Sequence, residues 1–384
     1  MRIASLTLFL LAAFDLLYSQ RTADEPLSNV LPASAQNRRD AFHRALPVPV
    51  RIQGEFGRLS AVLLSANELV HFHPELFARL VELISERAPV IAIVAGPEQV
   101  LDGREALEEA GVSRERVHFL THQLDSMWIR DFGPIFVRRS DGSASVVDTY
   151  YAARDELGNR PLDDQLPLIL ANALNLQCSY VPIALEGGNL VHNGNGFGVS
   201  TSKLIDRNRF RKFSSEEFMG LMSSYLALKT FTVVPPLPGE GTGHADMFMT
   251  FLNSNTVVVA EALPGEDQSV RDSLEEATRY LAEQTVDGRP LEIHRIPLAP
   301  RKDGLWRSYT NVFYANGLML VPSYSDVDAD VEARVFETFR SLLPKWDVVA
   351  VPADHLVATG GFLHCLTLGI PHFVDVSNLL ELTD

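Results

Sequence analysis

Thr250-Phe251-Leu252-Asn253-Ser254-Asn255-Thr256-Val257-Val258 reads as two short apolar strands joined by a polar turn. Asn and Ser suit such turns because their short side chains bond neighbouring backbone groups and tolerate left-handed conformations. A hairpin therefore sits inside a chain that otherwise alternates strand-like and helix-like runs. Apolar, β-branched runs predict strands over 61–64, 90–94, 135–138, 146–150, 256–260, 318–321 and 348–351. Amphipathic runs predict helices over 74–87, 97–110, 163–174, 216–228, 270–284 and 327–343. In the first of these, Leu76, Leu80, Leu83 and Ile84 share one face, and Pro74 suits a first helical turn. Two or three strands, often paired as hairpins, separate most successive helices. The fold class is therefore α/β with mixed sheets and outer helices rather than a doubly wound parallel sheet. The glycine-rich runs Glu186-Gly187-Gly188-Asn189 and Gly239-Glu240-Gly241-Thr242-Gly243 lack the spacings that cradle nucleotide phosphates.

The chain has 384 residues, 46% hydrophobic and 21% charged, the make-up of a globular protein with a sizeable core. Length alone allows two or three domains, or one large closed architecture. Asp and Glu outnumber Lys and Arg by 49 to 33, a net charge of −16 that argues against nucleic-acid or anionic-membrane partners and suits a cationic ligand. Arg2 precedes an apolar run from Ile3 to Tyr18, broken only by Ser5, Thr7 and Asp15. This pattern predicts a signal peptide over 1–19, cleaved after Ser19 or near Ala33-Ser34-Ala35, and hence an exported protein; a short N-terminal anchor is the alternative. A mobile segment is expected over 20–45. No later run is apolar enough to span a bilayer, so no membrane contact is expected after cleavage.

Only two cysteines are present. Cys178 lies in a strand-like run, whereas Cys365 follows the glycine-rich approach Thr359-Gly360-Gly361-Phe362-Leu363-His364. One disulfide and a reactive thiol at Cys365 are both open on this context. Histidines 71, 73, 122 and 294 show no metal-ligand spacing. The acids of Asp326-Val327-Asp328-Ala329-Asp330 lack the glycine and terminal glutamate of an EF-hand loop, and charge at a helix N-terminus accounts for them equally well. No metal or organic cofactor is indicated.

Four distant segments place polar residues beside strand ends: Trp128-Ile129-Arg130-Asp131-Phe132-Gly133-Pro134, Glu186 to Asn189, Gly243-His244-Ala245-Asp246, and Gly361 to Cys365. Alone, each reads as a core aromatic beside a salt bridge, or as a turn with a local side-chain bond. Together, with Ser308-Tyr309-Thr310-Asn311 between the third and fourth, they resemble the agmatine deiminases and bacterial peptidylarginine deiminases among the guanidino-group-modifying enzymes. Order and approximate spacing agree over about residues 50 to 380. The resemblance implies a single catalytic domain over 46–384, folded as a five-bladed α/β propeller of the pentein type with pseudo-fivefold ββαβ units.

It also implies a chemistry that explains the residue types. A guanidinium is planar, delocalised and protonated, so its carbon is a poor electrophile and its nitrogens are poor leaving groups. Asp131 and Asp246 are assigned to grip its N–H donors, and Cys365 to add to its carbon. His244 is assigned to protonate departing ammonia and then deprotonate water. Activation of the thiol falls to His244 or to the bound cation. Trp128 is expected to wall the substrate stem. Gly187, Gly188, Gly360 and Gly361 are expected to let the backbone approach substrate, and Arg130, Asn189 and Asn311 to position it. His364 is read as structural, because neighbours in an extended chain point opposite ways.

The run after the cysteine, Leu366-Thr367-Leu368-Gly369-Ile370-Pro371, lacks the glutamines usual in agmatine deiminases. With expected export and Arg154 and Arg160 as candidate carboxylate ligands, this places peptidyl or C-terminal arginine ahead of agmatine as the guanidinium partner. Papain-like order puts cysteine before histidine, and caspase-like spacing is about 50 residues, so neither peptidase pattern fits. A non-catalytic guanidinium-binding protein is the other class.

Overall fold

The computed structural model describes residues 49–151, 160–301 and 303–383. All of them belong to one compact unit, Ala35–Asp384. The expected signal peptide over 1–19, the segment over 20–45 and Arg154 lie outside the described residues.

The opening hairpin forms: β11 (Met249–Phe251) pairs antiparallel with β12 (Thr256–Glu261), with Phe251 opposite Val257. Asn253 Oδ1 closes the turn by accepting from the N–H groups of Asn255 and Thr256, each at 2.9 Å. A helix over Gln268–Ala282 then carries the chain to β15 (Glu292–Pro297), which pairs parallel with β12. This hairpin, helix and parallel strand recur. β5 (Ile135–Arg139), β6 (Ala144–Tyr150) and β7 (Gln177–Ala184) repeat it around the helix Leu166–Ala173. β8 (Val191–His192), β9 (Phe197–Thr201) and β10 (Thr230–Val234) do so around Lys203–Asn208 and Ser215–Leu226. β16 (Phe313–Ala315), β17 (Leu318–Ser323) and β18 (Asp347–Pro352) do so around Ala329–Leu342.

The fifth repeat is made from both halves of the chain. β19 (Thr367–Pro371) pairs antiparallel with β2 (Leu59–Ser65), which pairs parallel with β3 (Val90–Val94) across the helix Pro74–Ser85; β4 (Val117–Thr121) follows after Pro97–Glu109. Five sheets therefore share one ββαβ plan, the pseudo-fivefold arrangement expected for the α/β propeller. It escaped detection as a sequence repeat because only the pattern of elements recurs.

The inner strands are apolar on both faces because both faces are covered. Leu59, Val62, Leu64, Val90, Ala92 and Val94 enter one core, while the alternating Ala61, Leu63, Ile91 and Ile93 enter a second. The predicted helices are present with ends shifted by at most three residues, and 163–174 opens with a 3₁₀ turn over Asp163–Gln165. Cys178 is partly buried in β7 and Cys365 is buried, and no disulfide links the two.

Candidate active site

Each repeat contributes the segment just ahead of its first strand. Trp128 to Phe132 precede β5, Glu186 to Asn189 precede β8, His244 to Met247 precede β11, Ser308 to Asn311 precede β16, and His364 and Cys365 precede β19. Hydrogen bonds knit these five segments together. Asn311 is central: its Nδ2 lies 2.9 Å from Asp246 Oδ2 and 3.5 Å from Cys365 Sγ, while its Oδ1 accepts from the His364 N–H at 3.0 Å. Ser308 Oγ donates to the Met247 carbonyl and Thr310 Oγ1 to that of Asp246, each at 2.9 Å, so the Ser308 to Asn311 run braces the turn that presents Asp246.

His244 is held from behind. Its Nε2 lies 2.6 Å from Glu186 Oε2, and Arg207, on the helix Lys203–Asn208, forms an ion pair with the same carboxylate. A proton on Nε2 serves that bond, and Nδ1, 3.5 Å from Asp131 Oδ1 and not hydrogen-bonded to it, is left as the acceptor position. Asp131 Oδ1 accepts from the Gly188 N–H at 3.1 Å. Asp246 Oδ1 is buried without a hydrogen-bond partner, whereas its Oδ2 takes two donors. A buried carboxylate oxygen left open in this way is an acceptor waiting for a donor.

Burial, with Asp246 and Asp131 alongside, pushes the Cys365 thiol well above its usual range. Burial also raises Asp131, with Asp246 adding to the rise and His244 opposing it. A cation placed between the carboxylates removes the repulsion that keeps the thiol protonated.

A model of the Porphyromonas-type peptidyl-arginine deiminase family matches residues 65–371. The chain belongs to that family. Among relatives, the agmatine deiminase of Stutzerimonas stutzeri (strain A1501) is 27% identical over 324 residues, 76% of this chain and 85% of that protein. The fold matches solved structures of the Enterococcus faecalis agmatine deiminase (TM-score 0.74, 21% identity, 85% of this chain and 98% of that one) and of a Cys-to-Ser variant of the C. jejuni agmatine deiminase with substrate bound (0.72, 19%, 83% and 96%).

Within this deiminase-family framework, several expected roles change. Arg130 does not face substrate: it is buried, its Nη1 pairs with Glu55 Oε1 at 2.7 Å, and its N–H bonds the Cys365 carbonyl at 3.2 Å. Asn189 ties loops together, its Oδ1 accepting from the N–H groups of Thr201 and Ala245. A Cβ on Gly187 would strike the Arg130 carbonyl at 2.0 Å, so that glycine allows two loops to touch. Gly360 has φ +79° and open space around it, so it serves the turn rather than an approach to substrate. Gly361 accommodates the Trp128 ring, which a Cβ would meet at 2.3 Å. Gly188 alone lies among the reactive groups. His364 and Cys365 sit in a turn, not an extended run, and His364 reaches Asp246 Oδ2 at 2.8 Å. Glu186, quoted in its motif but given no role, and Glu55 were missed; only the glutamate opening the Glu186 to Asn189 run offered a signal.

Proposed function

We propose that the protein is a hydrolase that deiminates an alkyl guanidinium through a covalent cysteine intermediate. The observation that carries this is the meeting of Cys365, His244, Asp131 and the open Oδ1 of Asp246. The guanidinium neutralises the two carboxylates, and the thiol proton passes to His244 Nδ1. Sγ then bonds to the guanidinium carbon; His244 returns the proton to a terminal nitrogen, and the C–N bond breaks to release ammonia. Water, deprotonated by His244, attacks the resulting amidino-thioether, the C–S bond breaks, and a ureido product leaves. The net change is guanidinium plus water to ureido compound plus ammonium. Glu186, fixed by Arg207, keeps His244 in the required tautomer.

Agmatine is the better supported substrate, because the relatives over most of the chain carry that activity in their names. This reverses the order expected from the sequence. Peptidyl arginine is the second reading, favoured by the family match and by Arg160, whose side chain is partly exposed and whose Nη1 lies 3.5 Å from Tyr151 Oη and 3.9 Å from Asp163 Oδ2. Export through residues 1–19 belongs to that second reading. The test is ammonia and ureido-product formation on agmatine, free arginine, an internal-arginine peptide and a C-terminal-arginine peptide, with Cys365→Ala alongside. Turnover lost in the variant supports deimination, the preferred substrate decides between the readings, and silence on all four leaves another guanidine or a binding protein.

A further inference from the structure

His364 stands between two carboxylates. Its Nδ1 lies 2.8 Å from Asp246 Oδ2 and its Nε2 lies 2.7 Å from Glu55 Oε2. A neutral imidazole has one N–H, so one of these contacts would set a lone pair against a carboxylate oxygen; an imidazolium donates to both. A neutral ring would instead need the proton on one of the carboxyls; Glu55 Oε1 is paired with Arg130 and Asp246 Oδ2 already accepts from Asn311, so the shared proton is placed on the ring.

We infer that His364 is a buried imidazolium bridging Glu55 and Asp246, a positioning residue that anchors Asp246 through Oδ2 and keeps its Oδ1 directed at the substrate guanidinium. The inference rests on the reading of Asp246 as a guanidinium ligand. Two carboxylates, Asp131 and Asp246, share a buried site and repel one another. A cation bound to Oδ2 relieves that pressure without occupying Oδ1, the oxygen left for substrate. Its support comes from the side away from the thiol: two cavities lined by Glu55 and His192 flank the pair, and neither is lined by Cys365, Asp131 or His244. The charged and titratable groups facing His364 are Glu55 from the β1 to β2 connection, Asp246 from the turn before β11, Arg130 from the turn before β5 and His192 from β8, where β1 is Pro49–Ile52. Burial and Arg130 oppose the His364 cation, but Glu55 and Asp246 outweigh them and raise its pKa. Burial takes His192 down to about 4, so it adds no competing cation.

The sign follows. The bridge requires a protonated His364, so its effect is lost as pH rises through that group's pKa. Glu55→Gln removes one supporting anion and lowers the pKa. The alkaline limb of kcat/KM is then expected to begin about one pH unit lower than in the parent. His364→Gln is expected to raise KM more than it lowers kcat, as Asp246 loses its anchor at Oδ2. In the parent enzyme, histidine ¹⁵N NMR above the ordinary histidine pKa of about 6.5 should show one ring with both nitrogens protonated, a signal absent in His364→Gln. A neutral tautomer for His364, or Glu55→Gln profiles that superimpose on the parent's after scaling, overturns the inference. The NMR readout stands on the parent protein even where a variant fails to fold. Unchanged kinetics in Asp246→Asn would instead remove the guanidinium grip while leaving the imidazolium signal in place, so the two failures are distinguishable.

Discussion

Gly188 owes its identity to space: a Cβ there would lie 2.6 Å from His244 Nδ1, 2.7 Å from Asp131 Oδ1 and 3.1 Å from Asp246 Oδ2. Gly188→Ala therefore pushes apart the base and both carboxylates. Since a shift near 1 Å in a reacting group costs on the order of 10²-fold, kcat/KM should fall by about that factor while Tm changes little. Steady-state kinetics and a thermal melt check this, and parental activity would mean that the three groups do not converge on substrate. The thiol supplies a second prediction at this scale. With Cys365 raised by burial and by Asp246 and Asp131, a neutral haloacetamide should alkylate it slowly at neutral pH, and faster only above the ordinary thiol pKa of about 8.5. A cationic haloamidine, which brings its own charge to the carboxylates, should react much faster at neutral pH. Mass spectrometry in a Cys178→Ser background reads both rates, and equal rates would deny the carboxylates that control.

Asp328 shows how far local chemistry reaches at the scale of one element. Its side chain accepts from the Asp330 N–H at 2.8 Å and caps the helix Ala329–Leu342, while Asp326 pairs with Arg307. The alternating acids are thus a helix start and an ion pair. Asp328→Ala should cost about 1 kcal/mol in denaturant unfolding and leave kcat/KM unchanged. Such elements were legible in the sequence because period, caps and turns are local: Pro74 and Pro97 open their helices and Asn253 closes its hairpin. Cys365, His244, Asp131 and Asp246 were legible through motifs read together. Arg130 was misread because a guanidinium beside Asp131 looks the same in sequence whether it meets substrate or Glu55, 75 residues away. The Glu55 to His364 bond, spanning 309 residues, leaves no local pattern at all.

At the scale of the whole molecule, the sheet that holds β19 closes the series of repeats by pairing with β2. A chain ending at Cys365 would keep every residue assigned to the chemistry yet lose Leu366, Ile370, Val374 and Leu379, all essentially fully buried. Burying each contributes roughly 1.5–3 kcal/mol, so the combined loss is comparable to the 5–15 kcal/mol that typically holds a protein folded. This truncation should abolish both a cooperative melt and deimination; a folded, active product would refute the role given to β19. The same closure sets a timetable. Cys365 meets Asn311, His364 meets Asp246, and His364 meets Glu55 across 54, 118 and 309 residues of chain. During vectorial synthesis, Asp131, Asp246 and His244 leave the ribosome long before Cys365 does. The candidate site is thus complete only once Cys365 and the β19 that follows it have emerged and folded back on β2, so a shorter nascent chain carries no assembled site.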